Sequence, residues 1–502
     1  MSGLEHAWHA LTTTPAVFAA FGGVMWGILG GALPGISPSI AMALLLPFTY
    51  DMAPIPAIVL LASTYVGAEY GGSIPAILIR TPGTNAAAAT TIDGYEMHRQ
   101  GRGGEALGIS LVSGVIGGLI GLAVLVLLTK PLASVALLFT PPAYFSLGIL
   151  GLSVIASLSS GSLIKGLMAG ALGLMLATIG TDPVSGVSRF TFDQPELLDG
   201  IRFILVMVGV FAVSELFVQS GLPAWEKAGR GESRIKLPSF ALLKRLRRSQ
   251  LIGSVIGTFE GCMPGAGGSI AAFLSYNEAR RWSRRPEEFG QGSPEGIAAP
   301  ETANNTVAGT ALVPMLSFGI PGSNSTAILL GGLLIHGMDP GPMLFTRHPD
   351  FVYGLFGGLL VANLSLFVIG ILVLTPAIWL VNRPKPYLLA AIYALVFSGV
   401  YSIDHSLFDI GIVLAAGCVG YLMRLLGFPF LPLVLGLVLG YLIEANYRRS
   451  LLLTGGDHVV FVQDPVSLGL LIAALLFVVG SATRDFREAR RRAREREAGA
   501  GG

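Results

Sequence analysis

Charge is what this chain of 502 residues has least of: Asp, Glu, Lys and Arg together make up 12% of it. Globular chains carry roughly twice that fraction, so a water-facing surface for a soluble protein of this length cannot be built from these residues. A mean hydropathy of +0.70 places most of the chain in lipid. The net charge is only +2, and the charges gather at loops, which excludes the one-sided basic face that nucleic acid requires. Cysteine is nearly absent. Cys262 and Cys418 stand far apart in apolar surroundings without CxxC or Cys/His spacing, so they read as packing residues and imply neither a disulfide framework nor a metal site. No Lys or Arg occurs in Met1–Leu11, so the first apolar run lacks the basic start of a cleaved signal peptide. No GxxxxGK[ST] loop is present, and Gly265-Ala266-Gly267-Gly268 lacks the strand and βαβ setting of a dinucleotide fingerprint. His98, His336, His348, His405 and His458 fall at the ends of expected loops. None forms an HExxH or faces a nucleophile at meaningful spacing, which argues against an intramembrane enzyme.

What the chain has in excess is 67 glycines and 30 prolines, a heavy load for a helical protein. Apolar stretches near the length that crosses about 30 Å of hydrocarbon lie at 106–129, 142–159, 163–180, 201–220, 323–345, 352–380, 387–401, 408–425, 428–445 and 466–480. Lys and Arg near span ends set orientation. The 221–248 connection, with eight Lys and Arg against Glu226 and Glu232, and the tail after Ser481, with seven Arg against four acids, are expected in the cytoplasm. The acidic 181–200 and 456–465 segments fit the outer side. Counting back from the tail puts Arg383, Lys385 and Arg424 inside and Asp404 and His405 outside. The one disagreement is the Asn446–Pro465 connection, outside by count despite Arg448 and Arg449.

Glycine and proline concentrate in two windows, 30–94 and 257–342, which are related by duplication. Ile74-Pro75 through Pro82-Gly83-Thr84-Asn85 aligns with Val313-Pro314 through Pro321-Gly322-Ser323-Asn324, keeping the seven-residue interval between prolines. Upstream, Leu33-Pro34-Gly35 aligns with Met263-Pro264-Gly265. In the second copy, apolar Leu251–Cys262 lies between the Lys244–Arg248 cluster and the Pro-Gly turn, and Ser269–Tyr276 leads on to Arg280, Arg281, Arg284 and Arg285. Twelve helical residues rise only about 18 Å. The segment therefore reads as a re-entrant hairpin, about 251–279, opening on the cytoplasmic side. The first copy, about 15–48, has its tip at Pro34-Gly35-Ile36-Ser37 beside the uncharged N-terminus and Asp51, and is expected to open outward.

The expected fold is thus an all-α polytopic membrane protein of roughly 10–14 membrane segments, with inverted repeats, re-entrant hairpins and discontinuous helices. Residues 1–220 form the first half, with a broken helix at about 55–92. Residues 221–248 are a basic linker, 249–480 the second half with a broken helix at about 297–345, and 481–502 a basic tail. Inverted repeats whose broken helices meet at mid-membrane are the architecture of secondary transporters, and non-helical backbone at that depth is tolerated only in protein or along a wet cavity. The four Pro-Gly breaks are therefore the expected substrate and ion site. Proline frees carbonyls, glycine lets backbone approach a ligand, and half-helix N-termini offer NH groups and a positive dipole end to an anion. The residues are Pro34, Gly35, Ser37, Thr81, Pro82, Gly83, Thr84, Asn85, Pro264, Gly265, Gly267, Gly268, Asn304, Asn305, Pro321, Gly322, Ser323 and Asn324. Against this stands the plainer reading that these glycines and prolines kink helices and allow close packing.

Specific strings carry a resemblance. Gly67-Ala68-Glu69-Tyr70-Gly71-Gly72-Ser73, Thr81-Pro82-Gly83-Thr84, Asp93-Gly94-Tyr95-Glu96-Met97, Pro264-Gly265-Ala266-Gly267-Gly268, Phe273-Leu274-Ser275-Tyr276, Ala299-Pro300-Glu301, Asn304-Asn305 and Gly319-Ile320-Pro321-Gly322-Ser323 resemble the large membrane subunit, TctA, of the tripartite tricarboxylate transporters. The resemblance implies a permease of the bacterial inner membrane, with the C-terminus cytoplasmic and, from the hairpin reading, the N-terminus periplasmic. It implies a small TctB-like membrane subunit and a TctC-like periplasmic binding protein that delivers a small organic acid. A Na+ or H+ gradient drives uptake, with no cofactor, no metal, no nucleic acid and no catalytic residue. Two residues depart from the family pattern. Arg80 stands where a neutral amide is usual, and Glu69 is atypical; Arg80 can pair with Glu69 or meet a substrate carboxylate. Glu260, four residues before the second tip, is a third candidate charge partner, as a proton carrier or as a carboxylate reaching the interface. A cation-coupled carrier without a binding protein, or a channel, remains the alternative function.

Overall fold

A computed structural model of the chain describes residues 14–137, 139–158, 162–182, 186–223, 234–265 and 267–500. Part of the expected linker (224–233), residues 1–13 and Ala266 of the second tip lie outside the described residues. In chain order the helices are α1 (Thr14–Ala32), α2 (Pro38–Leu45), α3 (Pro54–Gly71), α4 (Ser73–Ile79), α5 (Ala87–Arg99), α6 (Gly103–Ala136), α7 (Pro141–Leu158), α8 (Leu163–Ala177) and α9 (Phe203–Gly221, with a π turn at Val208–Val213). They continue as α10 (Phe240–Cys262), α11 (Gly267–Trp282), α12 (Pro294–Thr310), α13 (Leu312–Phe318), α14 (Asn324–Ile335), α15 (Pro342–Arg347) and α16 (Pro349–Val381). The last are α17 (Lys385–Asp404), α18 (Leu407–Leu425), α19 (Phe430–Leu453), α20 (Val460–Gln463) and α21 (Pro465–Ala500). A two-stranded ribbon, β1 (Gly180–Thr181) with β2 (Ser188–Arg189), is the only sheet among the described residues. Nine described helices are long and apolar enough to cross a bilayer. The protein is an all-α polytopic membrane protein.

Much of the proline load starts helices. Pro38, Pro54, Pro141, Pro294, Pro342, Pro349 and Pro465 each stand at a first helical position, where the missing NH has no intrahelical partner to lose and the fixed φ is already helical.

The chain forms two compact units. The first comprises Met1–Ala136 with Ile204–Tyr421, the second Leu137–Phe203 with Leu422–Gly502. Inside the first unit the order α1, α2, α3, α4, α5, α6 recurs as α10, α11, α12, α13, α14, α16. The glycine spacing recurs with it: Gly23, Gly27 and Gly31 of α1 lie against α3, and Gly253, Gly257 and Gly261 of α10 lie against α12, each 230 positions later. A Cβ at Gly27 would sit 2.8 Å from the Ala68 nitrogen, and one at Gly257 would sit 2.8 Å from the Thr306 Cβ. Only glycine lets these helix pairs come together backbone to backbone. Each short helix of one copy packs against the half-helix of the other. Ala86 and Ala89 at the start of α5 cluster with Ala272 of α11, and α2 lies against α14.

In the second unit, Gly166 of α8 lies against Ala156 of α7, and Gly436 of α19 lies against the Gly170 backbone of α8. An ion cluster joins its ribbon to α19: Arg448 to Asp182 at 2.8 Å and Glu444 at 2.7 Å, with Arg189 to Glu444 at 2.8 Å. Arg448, one of the two arginines that opposed their expected side, is neutralised by acids from the 181–200 loop and from its own helix.

Three expected boundaries are corrected. The 323–345 span is two helices, α14 and α15. A turn at Gly337 (φ 68°) ends α14, with the Met338 NH donating to the Leu333 carbonyl at 2.9 Å, and Gly341 (φ 130°) with Pro342 starts α15. The 163–180 span is the fifteen-residue helix α8, ending at Ala177, which at 1.5 Å per residue is about 22 Å long. The second hairpin begins at Phe240, because Ser239 caps α10 through its Oγ (Leu242 NH, 3.3 Å) and Arg245 is held by Glu288 (2.6 Å) and Glu295 (3.0 Å). The Lys244–Arg248 cluster therefore belongs to a helix of 23 residues, and the twelve-residue length on which the re-entrant reading rested does not describe it.

Candidate functional site

Both broken helices are interrupted in the same way. Pro75 and Pro314 cannot donate to the carbonyl four residues earlier, and their rings crowd it. The kinks fall accordingly at Gly72, between α3 and α4, and at Ala311, between α12 and α13. α4 and α13 then end in left-handed residues, Arg80 (φ 55°) and Gly319 (φ 75°). The next NH reaches back, Thr81 to Pro75 at 3.3 Å and Ile320 to Pro314 at 3.4 Å, which closes the helix end. Asn tolerates that left-handed slot better than Arg does.

The loops that follow are strapped down. Gly83 donates to the Gly72 carbonyl at 3.0 Å, and a side chain there would overlap the Gly31 backbone. In the second copy Gly322 lies against Ala311 and Gly261, and its carbonyl accepts the Gly265 NH at 3.0 Å. The second Pro-Gly tip is thus tied to the second break. A hydroxyl accepts a first-turn NH of each half-helix, the Thr84 Oγ1 from Ala87 at 3.2 Å and the Ser323 cap of α14 in a capping box with Thr326. Asn85 and Asn324, one residue further on, are both exposed.

The structure brings a subset of the expected residues together. Asn304 donates from Nδ2 to Glu69 Oε2 at 2.8 Å, joining α12 to α3. The Asn304 Oδ1 is buried without a partner and lies over Gly268, at the start of α11. Tyr65 Oη and Ser323 Oγ are 3.4 Å apart. Glu69, Asn304, Ser323 and, at the second tip, Gly265 and Gly268 thus form one contiguous group drawn from both copies, while Asn305 turns its Nδ2 to the Glu301 carbonyl (2.9 Å). Pro34, Gly35 and Ser37 share no hydrogen bond with this group among the described residues. Gly35 (φ 80°) faces the Gln219 side chain of α9, and Ser37 caps α2. Arg80 is exposed and lies over the Tyr95 ring at 5.7 Å. The expected Arg80–Glu69 pair is absent among the described ion pairs. Glu260 is half-buried on the last turn of α10.

Two buried acids were not selected from the sequence. Glu301, fully enclosed in α12, accepts Ser73 at 2.6 Å and Thr90 on Oε1, and Ser110 at 3.0 Å on Oε2. Its donors come from α4, α5 and α6, so it ties the second broken helix to the first copy. Asp93 of α5 accepts the NH groups of Gly290, Gly292 and Ser293, each at 2.8 Å, and the Tyr276 hydroxyl at 2.9 Å. It joins the first broken helix to the loop between α11 and α12. The available signal was an acid inside an otherwise uncharged small-residue run, in the Ala299-Pro300-Glu301 and Asp93-Gly94-Tyr95 strings.

A family model described as the tripartite tricarboxylate transporter TctA family matches residues 17–435. The chain belongs to that family. The TctA match takes in both copies and every residue of the group just described. Two relatives from Agrobacterium vitis are similar to it. The uncharacterized 52.8 kDa protein in the TAR-I ttuC' 3' region is 37% identical over 479 residues, covering 95% of each chain. The uncharacterized protein in the TAR-II ttuC' 3' region is 34% identical over 223 residues, 44% of this chain and 92% of the relative. No solved structure matches. This TctA-family chain is therefore a transporter membrane subunit.

Proposed function

We propose that the protein is the large permease subunit of a tripartite secondary transporter in the bacterial inner membrane. It imports a di- or tricarboxylate or related organic acid, handed over by a periplasmic binding protein, alongside a small membrane subunit. A cation gradient, of sodium or protons, drives uptake. One observation carries the reading: two half-helices with the same Pro-Gly-hydroxyl-Asn start, each with a hydroxyl that accepts a first-turn NH and an exposed asparagine, Asn85 and Asn324. Helix N-termini of this kind offer NH groups and partial positive charge to a carboxylate, and the neutral amides add donors without a formal charge in lipid.

Uptake of radiolabelled carboxylates by cells expressing the full system tests the site. Asn85→Ala and Asn324→Ala are each expected to lower uptake with membrane expression intact, and unchanged kinetics in both remove the assignment. In proteoliposomes, full-rate transport by this chain alone would replace the tripartite reading with a carrier that needs no binding protein.

A further inference from the structure

Glu69 of α3 and Glu301 of α12 are connected through one helical turn, because Asn304, which holds Glu69, follows Glu301 by three residues. Glu69 is 6% exposed and Glu301 1%. No Lys, Arg or His pairs with either among the described residues. Their support is unequal: Glu301 accepts three hydroxyls from three helices, Glu69 a single amide. Two desolvated like charges without a counter-cation disfavour each other, and hydrogen bonds to the ionised form decide which one keeps its charge. By that criterion Glu301 is the better held of the two as an anion, and Glu69 is the one that takes up a proton first.

We infer that Glu69 is the carboxylate at which this permease binds and releases its coupling proton, with Glu301 as the more strongly hydrogen-bonded acid of the pair. The inference rests on the transport reading above and chooses the ion. A sodium ion needs several converging oxygens. Asn304 instead turns its nitrogen to Glu69 and its oxygen away, over Gly268. A proton needs one carboxylate oxygen and nothing else. On binding, one Glu69 oxygen becomes a hydroxyl, and the repulsion from Glu301 is relieved; on release the anion is restored.

The surroundings supply no competing charge close by. On α3 itself the neighbours are Tyr65 and Tyr70. α1, α2, α4 and α14 carry no ionisable side chain, α12 brings Glu295 and Glu301, α16 only Asp350 and Tyr353 in its first turns, and α6 only Glu105 and Lys130 toward its ends. A difference in proton affinity between inward- and outward-facing states then couples the gradient to transport.

The test uses the full chain in lipid nanodiscs, followed by infrared difference spectroscopy across a pH series. Among the protonated-carboxyl bands of the chain's acids, the one that survives longest as pH rises is expected in the wild type and in Glu278→Gln, missing in Glu69→Gln, and restored in Glu69→Asp. In proteoliposomes with the partner proteins, Glu69→Gln is expected to lose proton-driven carboxylate accumulation by about tenfold or more while still exchanging carboxylate at equilibrium. An unchanged titrating band in Glu69→Gln overturns the inference. So does wild-type accumulation that follows an imposed sodium gradient and ignores a proton gradient. If the wild type moves no carboxylate at all, the transport reading falls, and the infrared titration alone decides whether Glu69 is the proton site.

Discussion

Replacing Asp93 by asparagine probes the contact between the two copies most directly. The side chain is fully buried, with three backbone NH groups from Gly290, Gly292 and Ser293 on Oδ1 and the Tyr276 hydroxyl on Oδ2. Asparagine keeps the shape. Its oxygen can still accept the three NH groups, and the tyrosine hydroxyl can rotate to accept from the new amide. What disappears is the charge. A hydrogen bond to an ionised group contributes about 1.5–3 kcal/mol and a neutral one about 1, so three weakened bonds cost about 1.5–6 kcal/mol, less what is recovered by no longer burying an anion. Alanine is worse, because it leaves the enclosed NH groups of Gly292 and Ser293 and the Tyr276 hydroxyl without acceptors, each costing about 1–3 kcal/mol. The local opening free energy of the 290–293 loop should fall with it, and 3 kcal/mol corresponds to roughly a hundredfold faster amide exchange. Hydrogen exchange followed by mass spectrometry on the detergent-purified protein reads this at Gly290, Gly292 and Ser293, with chemical denaturation as the global measure. If exchange at those amides in Asp93→Asn equals the wild type, the carboxylate does not hold the loop and the argument fails.

Other outcomes follow from the same geometry. Gly27→Ala forces a methyl into the α3 backbone and is expected to destabilise by about 1–3 kcal/mol, whereas Gly22→Ala meets only Leu60 Cδ1 at 4.0 Å and should be silent; thermal unfolding of the two compares them. A double-mutant cycle on Asp182 and Arg448, 2.8 Å apart with the acid well buried, should give a coupling of about 1 kcal/mol or more, and additive effects would dissolve the pair. Ser110→Ala removes one of three donors to Glu301 and is expected to cost about 1 kcal/mol, readable by denaturation at neutral pH; no change would mean Ser73 and Thr90 suffice.

The duplication was legible because Pro and Gly act locally: the Pro75 to Pro82 and Pro314 to Pro321 intervals place a kink and a loop at the same points in each copy, whatever else packs around them. The asparagines and hydroxyls after those breaks could be named for the same reason. Glu301 and Asp93 could not, since their meaning depends on donors 191 to 228 residues away and 183 to 200 residues away, respectively. Charge near α10 misled in the opposite way. Lys244–Arg248 looked like a loop because it is polar, yet Lys, Arg and Leu are good helix formers and the acids that receive Arg245 lie beyond the next helix. The glycine excess, too, has a second address. It marks the two duplicated windows, and it also lines α1, α10, α6 and α8 where helices touch.

The glycine ladder between α1 and α3 has a property its counterpart lacks. Gly23, Gly27 and Gly31 face the backbones at Leu60, Thr64 and Ala68, rungs four residues apart on both sides. A slip of one rung, about 6 Å along the axis, would set Gly23 over Thr64 and Gly27 over Ala68 and recover two of the three contacts. In the second copy Gly253 and Gly257 face Ala299 and Ala303, but Gly261 meets the Thr310 side chain, so the rungs are not periodic throughout and the same slip recovers one contact, Gly253 over Ala303. The first interface therefore behaves as a vernier whose zero is set from outside it, by the Gly83 strap on Gly72 and Gly31. The second carries its own stop.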